Sequence, residues 1–234
     1  MNAASAGPAP ILILGMHRSG TSCLAGCLEE AGLWLGDVIR WAKHNQKGNN
    51  ERKPIMEFHE SLFAANGGSW DDPPEAIALD EEHRARRDAL IAGYPADRVW
   101  GFKDPRSLFA LDIWREALPE LRFIGTFRDP RAVVRSLARR EDLAARDGFA
   151  TWQRYNRRLL ALHREARFPL IDFDWPGERY RAALIDACAE LELTPPAGGF
   201  RFFEEAMRNR TEFEVMELPP EIAALYEALK EVAA

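Results

Sequence analysis

The sequence has little cysteine: only Cys23, Cys27 and Cys188 occur in 234 residues. Three cysteines cannot all pair, which excludes a scaffold held together by disulfides and favours reduced thiols in the cytoplasm. Cys23 and Cys27 lie one helical turn apart, a spacing more typical of core packing than of redox chemistry. We therefore expect a cytoplasmic protein that is stabilised by an apolar core.

Long apolar runs are also missing, since none approaches the ~20 residues that a membrane-spanning helix needs. The first ten residues, MNAASAGPAP, have neither the basic region nor the apolar region of a signal peptide. We expect no transmembrane segment. The sequence predicts a flexible tail over residues 1–9 and one domain over residues 10–234.

The chain lacks an excess of positive charge, because 37 acidic residues outnumber 31 basic ones and give a formal net charge of −6. A general nucleic-acid-binding surface needs clustered positive charge, so we expect no nucleic-acid partner. A few local arginines are still enough to hold a small anionic ligand. The composition makes no prediction about the oligomeric state.

Strand-like and helix-like segments alternate along the sequence. Apolar runs at 11–14, 99–103, 122–127 and 168–173 predict buried strands. Helical spacing of apolar residues predicts a helix after the first strand that ends near Gly32, and another that carries Leu108 to Leu118 and stops at Pro119. Further helices are predicted at 55–65, 150–166, 178–192 and 220–231, with a charged, mostly solvated one at 80–92 and one more that starts at Pro130. The alternation predicts a single-domain α/β fold with a mainly parallel central sheet and helices on both faces.

The segment GMHRSGTS, residues 15–22, lies between the first predicted strand and the first predicted helix. Its glycines permit a tight turn in which loop N–H groups and the helix N-terminus converge on one anion. Arginine and hydroxyl side chains add further donors. A tight turn without a ligand is the alternative interpretation. The predicted binding residues are His17, Arg18, Ser19, Gly20, Thr21 and Ser22.

The same loop lacks the lysine of the nucleoside-triphosphate pattern G-x-x-x-x-G-K-[ST], because Thr21 stands in that position. In nucleotide hydrolases this lysine reaches the terminal phosphates beside Mg²⁺. Its absence argues against ATP or GTP hydrolysis. A P-loop small-molecule kinase or other nucleotide enzyme is therefore the less favoured alternative.

A second candidate anion site follows the third predicted strand. Arg128 lies at the strand end, and Asp129 and Pro130 indicate the start of a helix. The steps from Asp129 to Ser136 amount to about 700° of helical rotation, so the two residues share a face. Ligands of open α/β sheets collect at the carboxyl ends of the strands. Arg128 and Ser136 could therefore bind one ligand group, although four more arginines follow and this segment taken alone favours a solvated basic helix.

Together these segments resemble the sulfotransferase family, whose members use 3′-phosphoadenosine 5′-phosphosulfate (PAPS) and adopt a P-loop-like α/β fold. Residues 15–22 are similar to the family's 5′-phosphosulfate loop. Arg128, Pro130 and Ser136 are similar to its 3′-phosphate motif, which has a serine eight residues after an arginine. The resemblance implies an enzyme that moves a sulfuryl group from PAPS to an acceptor hydroxyl without a metal.

Two further segments carry the resemblance, which covers about residues 10–175. WGFKDPR, residues 100–106, resembles the lysine-containing strand end of bacterial and Golgi-type members. HNQKGNNE, residues 44–51, resembles the N-P-K-G-aromatic-aromatic-E segment of many bacterial members. Residues 202–210 show a weaker similarity to a C-terminal basic segment that touches the cofactor.

The resemblance also implies catalytic roles. Arg18 and Lys103 would stabilise the charge on the leaving phosphate, and Glu51 would be the catalytic base. Cytosolic members have a histidine base two residues after the lysine, where this chain has Pro105. The acceptor would be a carbohydrate, a lipid, or a small alcohol or phenol. A non-catalytic nucleotide-binding relative is another alternative, because asparagines replace the aromatics before Glu51.

Other interpretations of these residues stay open at this point. Glu51 could be a surface carboxylate, and Lys103 could form a local ion pair with Asp104. His17 is more typical of loop packing than of a base. The tryptophans are more typical of core packing than of sugar binding, which is our expectation for Trp34, Trp41 and Trp152. The isolated histidines His44 and His59 do not suggest a metal site.

Overall fold

The computed structural model describes residues 7–41, 47–141, 143–205 and 216–233. His44, residues 1–6 of the predicted tail and residues 206–210 of the weakly similar C-terminal segment lie outside the described residues. The division into a tail and one domain stays a prediction.

The four strands of the described sheet all run parallel, in the order β2-β1-β3-β4. Ile11 in β1 lies opposite Gly101 in β2 and Arg122 in β3, and Gly125 in β3 lies opposite Leu170 in β4. The strands are β1 (Ile11–Leu14), β2 (Gly101–Lys103), β3 (Arg122–Phe127) and β4 (Leu170–Asp172). The parallel arrangement confirms the predicted α/β fold class.

Helices connect these strands and cover both faces of the sheet. The described helices are α1 (Thr21–Glu30), α2 (Lys53–Ala65), α3 (Glu81–Ala92), α4 (Leu111–Ala117), α5 (Pro130–Glu141), α6 (Ala145–Ala166), α7 (Gly177–Glu190) and α8 (Pro220–Val232). None of these helices is long and apolar enough to cross a bilayer.

Alternation along β1 divides the apolar core in two. Successive side chains of a strand point to opposite faces of the sheet. Leu12 and Leu14 therefore pack with residues of α2, α4, α5, α6 and α8. Ile11 and Ile13 pack with residues of α1 and α7 on the other face. Because both faces are covered, β1 is fully buried, which explains its unbroken aliphatic sequence.

The segment predicted as one helix over 108–118 is divided in the structure. A 3₁₀ turn (Pro105–Leu108) comes first, and α4 follows it. The Asp104 side chain accepts a hydrogen bond from the Arg106 N–H at 2.9 Å, and Pro105 occupies the first position of the turn. This cap starts a short turn at the end of β2 and holds the strand end close to the helix that follows.

The predicted core tryptophans differ in their environments. Trp152 is fully buried, and its Nε1–H donates to the Arg128 carbonyl at 3.2 Å. Trp34 is partly buried against the core and forms an isolated bridge with Trp100. Trp41 is 67% exposed, so the expectation of core packing is wrong for this residue.

We predict that Trp152→Ala lowers the free energy of unfolding by about 3–5 kcal/mol. The substitution leaves a cavity against α8 and removes the hydrogen bond to the Arg128 carbonyl. Trp41→Ala is the matched control and should change the free energy of unfolding by less than about 0.5 kcal/mol. Chemical denaturation followed by circular dichroism measures both variants. Equal losses for the two variants would contradict the assigned packing.

Candidate active site

The loop between β1 and α1 is packed tightly against the neighbouring strand ends. A Cβ on Gly15, where φ is +145°, would lie 2.4 Å from the Thr126 carbonyl oxygen. A Cβ on Gly20, where φ is +86°, would lie 2.2 Å from the Phe173 ring. The Thr126 hydroxyl donates to the Ser19 carbonyl at 3.2 Å. Glycine at both ends therefore allows the loop to lie directly against β3 and the end of β4.

The two candidate anion sites meet through one hydrogen bond. Arg18 Nε donates to Ser136 Oγ at 2.8 Å, although the residues are 118 positions apart. Arg18 adopts a positive φ of 66°, a conformation that L residues with a Cβ rarely adopt. Ser136 is buried in the second turn of α5. The structure therefore brings the predicted loop and the predicted α5 serine into one site.

Arg18 lies in a strongly positive environment. Burial lowers the pKa of Arg18 to about 10, and repulsion from Arg140 and Arg128 contributes to the decrease. Within the described ranges, no carboxylate forms an ion pair with Arg18. Its guanidinium stays charged at neutral pH, so it is available to balance the charge of an anionic ligand.

Glu51 and Lys103 form a buried ion pair with side-chain exposures of 8% and 2%. The Glu51 carboxylate accepts a hydrogen bond from Lys103 Nζ, which also lies 3.4 Å from Ser22 Oγ. Burial raises the pKa of Glu51, and the neighbouring Lys103 partly opposes this increase. The surface-carboxylate interpretation of Glu51 is therefore wrong. The raised pKa suits a group that accepts a proton near neutral pH.

The two asparagines before Glu51 attach its segment to the start of α1. The Ser22 hydroxyl donates to the Asn49 carbonyl at 2.9 Å. In return, the Asn50 side-chain amide donates to the Ser22 carbonyl at 2.9 Å. Asn50 is buried and has a positive φ of 53°. These contacts place Glu51 beside the anion loop. The two asparagines occupy the positions in which the family that the sequence resembles has aromatic residues.

Asp104 does not pair with Lys103, so the local ion pair that the sequence left open is wrong. Asp104 is fully buried and lies 3.1 Å from Arg106 Nη1. His59 Nδ1 lies 3.4 Å from the same carboxylate, and His59 Nε2 accepts a hydrogen bond from Trp114 at 2.9 Å. Burial alone would raise the pKa of Asp104, but His59 and Arg106 together lower it below the usual range. Asp104 thus stays ionised and orients Arg106.

Arg128 is engaged by the end of β4. Its Nε donates to the Asp174 carboxylate at 3.2 Å, and its guanidinium lies 5.2 Å from the centre of the Phe173 ring. The Asp129 N–H donates to the same carboxylate at 2.9 Å. Asp174 lies two residues after β4, and the sequence did not indicate that its carboxylate contacts Arg128. Any phosphate bound by Arg128 would compete with this carboxylate.

A cavity of about 280 Å³ opens at the carboxyl edge of the sheet. It brings together six of the predicted site residues: His17, Arg18, Thr21, Ser22, Glu51 and Lys103. Ser136 is connected to this cavity through Arg18. Arg128 does not line the cavity. The predicted site residues therefore fall into two groups. One group lines the cavity with the candidate base Glu51, and Arg128 lies outside that cavity.

Sequence reasoning missed several cavity residues. Trp70 and Arg106 line the cavity, as does Arg140 from the last turn of α5. Trp70 comes from an irregular loop, whose path no local pattern predicts. The arginines of α5 were visible in the sequence, but their spacing alone did not show which one faces inward. Among the described residues, no group of three or more metal-ligating side chains occurs.

His17 packs in the cavity wall against aromatic rings. Its ring centre lies 5.0 Å from that of Trp70 and 5.9 Å from that of Tyr155. Burial lowers the pKa of His17 to about 3, and the positive charge of Arg106 adds to the effect. The imidazole is therefore neutral at neutral pH, and its buried Nε2 has no hydrogen-bond partner. The contacts favour the loop-packing interpretation over a role as catalytic base.

We predict that the His17 ring stays neutral as the pH falls to about 5, whereas an exposed histidine titrates near 6.5. NMR spectra of histidine-labelled protein, recorded against pH, measure the protonation of each ring. The spectrum of His17→Gln assigns the signal. A His17 titration midpoint above about 6 would contradict the buried, positively charged environment.

Comparison with known structures shows which proteins share this fold. The chain is similar to the sulfotransferase domain of an olefin synthase from Synechococcus PCC 7002, with 18% identity over 98% of both chains and a TM-score of 0.59. It is similar to a sulfotransferase domain from the curacin biosynthetic pathway, with 17% identity over 97% of this chain and 99% of that chain and a TM-score of 0.59. A sulfotransferase from Alicyclobacillus acidocaldarius gives 16% identity over 96% and 95% and a TM-score of 0.52. At these identities the similarity shows the fold.

The family itself is shown by sequence. A comparison with curated proteins gave no significant match. A family model described as "Sulfotransferase family" matches residues 10–174, which include both anion segments, Glu51 and Lys103. This match spans well over half of the 234 residues, and we conclude that the chain belongs to the sulfotransferase family.

Proposed function

We propose that the protein transfers a sulfuryl group from PAPS to the hydroxyl of an acceptor. The hydrogen bond between Arg18 and Ser136 carries this proposal, because it joins the predicted 5′-phosphosulfate loop to the predicted 3′-phosphate motif. One nucleotide that carries charge at both ends would then contact Arg18 at one end and Arg128 at the other. A carbohydrate, a lipid, or a small alcohol or phenol is the proposed acceptor, and the cytoplasm is the proposed location.

The residues of the loop fit an anionic group. The Ser19 hydroxyl is fully buried and has no hydrogen-bond partner. A buried polar group without a partner costs about 1–3 kcal/mol, so a ligand that supplies an acceptor oxygen would recover this energy. Arg18 adds a cation, and the N-terminus of α1 adds oriented N–H groups. These features favour an anion over a neutral ligand.

The proposed chemistry follows from the charges of the cavity. Breaking the bond between sulfur and the bridging oxygen leaves negative charge on the phosphate, which positive groups must stabilise. Arg18 and Lys103, which line the cavity, would do so, and the donor would supply the activated sulfuryl group. Glu51 would accept the proton of the attacking hydroxyl as the new oxygen–sulfur bond forms.

The Glu51–Lys103 pair links these two events. In the resting protein the Glu51 carboxylate balances the charge of Lys103. Once Glu51 takes up a proton, it no longer balances that charge. The positive charge of Lys103 then stabilises the leaving-phosphate oxygen that becomes negative. This effect is large because charges interact strongly in a buried site. Proton uptake and leaving-group stabilisation would thereby be coupled without movement of either residue.

We predict that adenosine 3′,5′-bisphosphate stabilises the protein against heat, and that ATP with Mg²⁺ does so much less. The bisphosphate should bind at least about tenfold tighter than adenosine 5′-monophosphate, because the 3′-phosphate gains a charge-assisted contact to Arg128. Arg128→Ala should remove this preference. Thermal-shift titration measures the dissociation constants.

Arg139→Ala is the control for the loss of one positive charge, since Arg139 is exposed on α5 and does not line the cavity. It should keep the preference for the bisphosphate. Stronger stabilisation by ATP with Mg²⁺ than by the bisphosphate would favour the nucleotide-enzyme alternative. If the wild type bound adenosine 3′,5′-bisphosphate and adenosine 5′-monophosphate with equal affinity, this result would contradict the proposed contact between Arg128 and the 3′-phosphate.

We predict that Glu51→Gln lowers the transfer rate about 10²-fold or more, because glutamine cannot accept the hydroxyl proton. Bisphosphate binding should stay within about twofold of the wild type. The assay follows transfer of ³⁵S from labelled PAPS to pools of glycans, lipids and phenols. Glu57→Gln is the control, since Glu57 is an exposed carboxylate on α2. Full activity of Glu51→Gln would assign the base elsewhere.

A further inference from the structure

Arg140 lies in the last turn of α5 and lines the same cavity as Glu51 and Lys103. Its Nε atom is buried and has no hydrogen-bond partner. In the described part of the chain, no carboxylate lies within ion-pair distance of its guanidinium. A partly buried guanidinium in this state lacks the acceptor that its geometry is suited to bind.

The other cations of the cavity already have partners. Lys103 is paired with Glu51, and Arg106 is paired with Asp104 and Glu60. Arg18 donates to a serine hydroxyl. Arg140 is therefore the lining cation whose donors are least committed within the described residues. A ligand that enters the cavity meets this charge without first having to break an ion pair.

The position of Arg140 along α5 indicates which ligand it faces. Arg128 precedes the helix, and Ser136 in the second turn contacts Arg18. Arg140 lies one turn beyond Ser136, about 6 Å further along the axis. Arg140 shares the cavity with Glu51, so an acceptor whose hydroxyl lies at the candidate base would occupy the same cavity as the Arg140 guanidinium.

We propose that Arg140 binds an acidic group of the acceptor, so that the acceptor class is a small hydroxylated molecule that also carries a carboxylate or a phosphate. This inference rests on the proposed sulfuryl transfer and specifies which class of acceptor the site would select. Trp70 and Leu137 line the same cavity and would contact the carbon skeleton between the hydroxyl and the acid. Glu141, which also lines the cavity, would disfavour acceptors with several negative charges.

The test compares hydroxy acids with their primary amides, because each pair keeps the hydroxyl and the shape and removes only the charge. A series of such pairs with increasing separation between hydroxyl and carboxylate is titrated into the wild type, with and without adenosine 3′,5′-bisphosphate. Dissociation constants come from thermal shift and calorimetry. The same titrations are made with Arg140→Gln and with the control Arg139→Gln, which removes one exposed charge from the same turn.

We expect at least one acid to bind the wild type about tenfold tighter than its amide, as a charge-assisted hydrogen bond allows. Arg140→Gln should reduce this preference to within about twofold, and Arg139→Gln should retain it. Neither variant should change the bisphosphate affinity by more than about threefold.

Three results would overturn the inference: no acid preferred over its amide by the wild type, a preference that survives Arg140→Gln, or a large loss of bisphosphate affinity in that variant. The last result would place Arg140 in the nucleotide site instead. Failure of the wild type to bind the bisphosphate would count against the proposed function. The titrations without nucleotide would still decide the role of Arg140.

Discussion

Charged side chains buried at the carboxyl edge of a parallel sheet must find partners, and this requirement organises the whole site. Isolated burial of a charge costs several kcal/mol, and breaking a buried pair costs about 3–5 kcal/mol. Glu51 therefore requires Lys103, and Asp104 requires Arg106 and His59. These pairs also fix the geometry of the cavity, because they connect the end of β2 to the segment before α2, to α2 itself and to the turn after β2.

Alternation along β2 explains why neighbouring acidic and basic residues do not pair with each other. Lys103 and Asp104 are adjacent at the strand end, where successive side chains point in opposite directions. Lys103 meets Glu51 beside the anion loop, and Asp104 turns toward Arg106 and His59. Their adjacency in the sequence suggested a local ion pair. The extended backbone instead separates the two charges, so that Lys103 pairs with Glu51 and Asp104 pairs with Arg106.

The fold was largely predictable because its signals are local. Unbroken apolar runs indicate strands that are covered on both faces, and helical spacing indicates the segments between them. The boundaries that differ, such as the division between the 3₁₀ turn and α4, depend on the Asp104 cap. The anion loop was predictable from its glycines, which the close contacts with β3 and Phe173 require. The partners of Arg18, Arg128 and Glu51 were not, since they come from distant parts of the chain.

The arginines of α5 show most clearly what only the structure supplies. Four arginines follow Arg128 in this helix, and this segment of the sequence taken alone favours a solvated basic surface. In the fold, Val133 and Leu137 pack in the core, and Ser136 contacts Arg18, which lines the cavity. Arg140 also lines the cavity, whereas Arg139 is exposed. Burial of the apolar face of α5 in the core sets the orientation of the helix, and that orientation decides which positive charge a ligand meets.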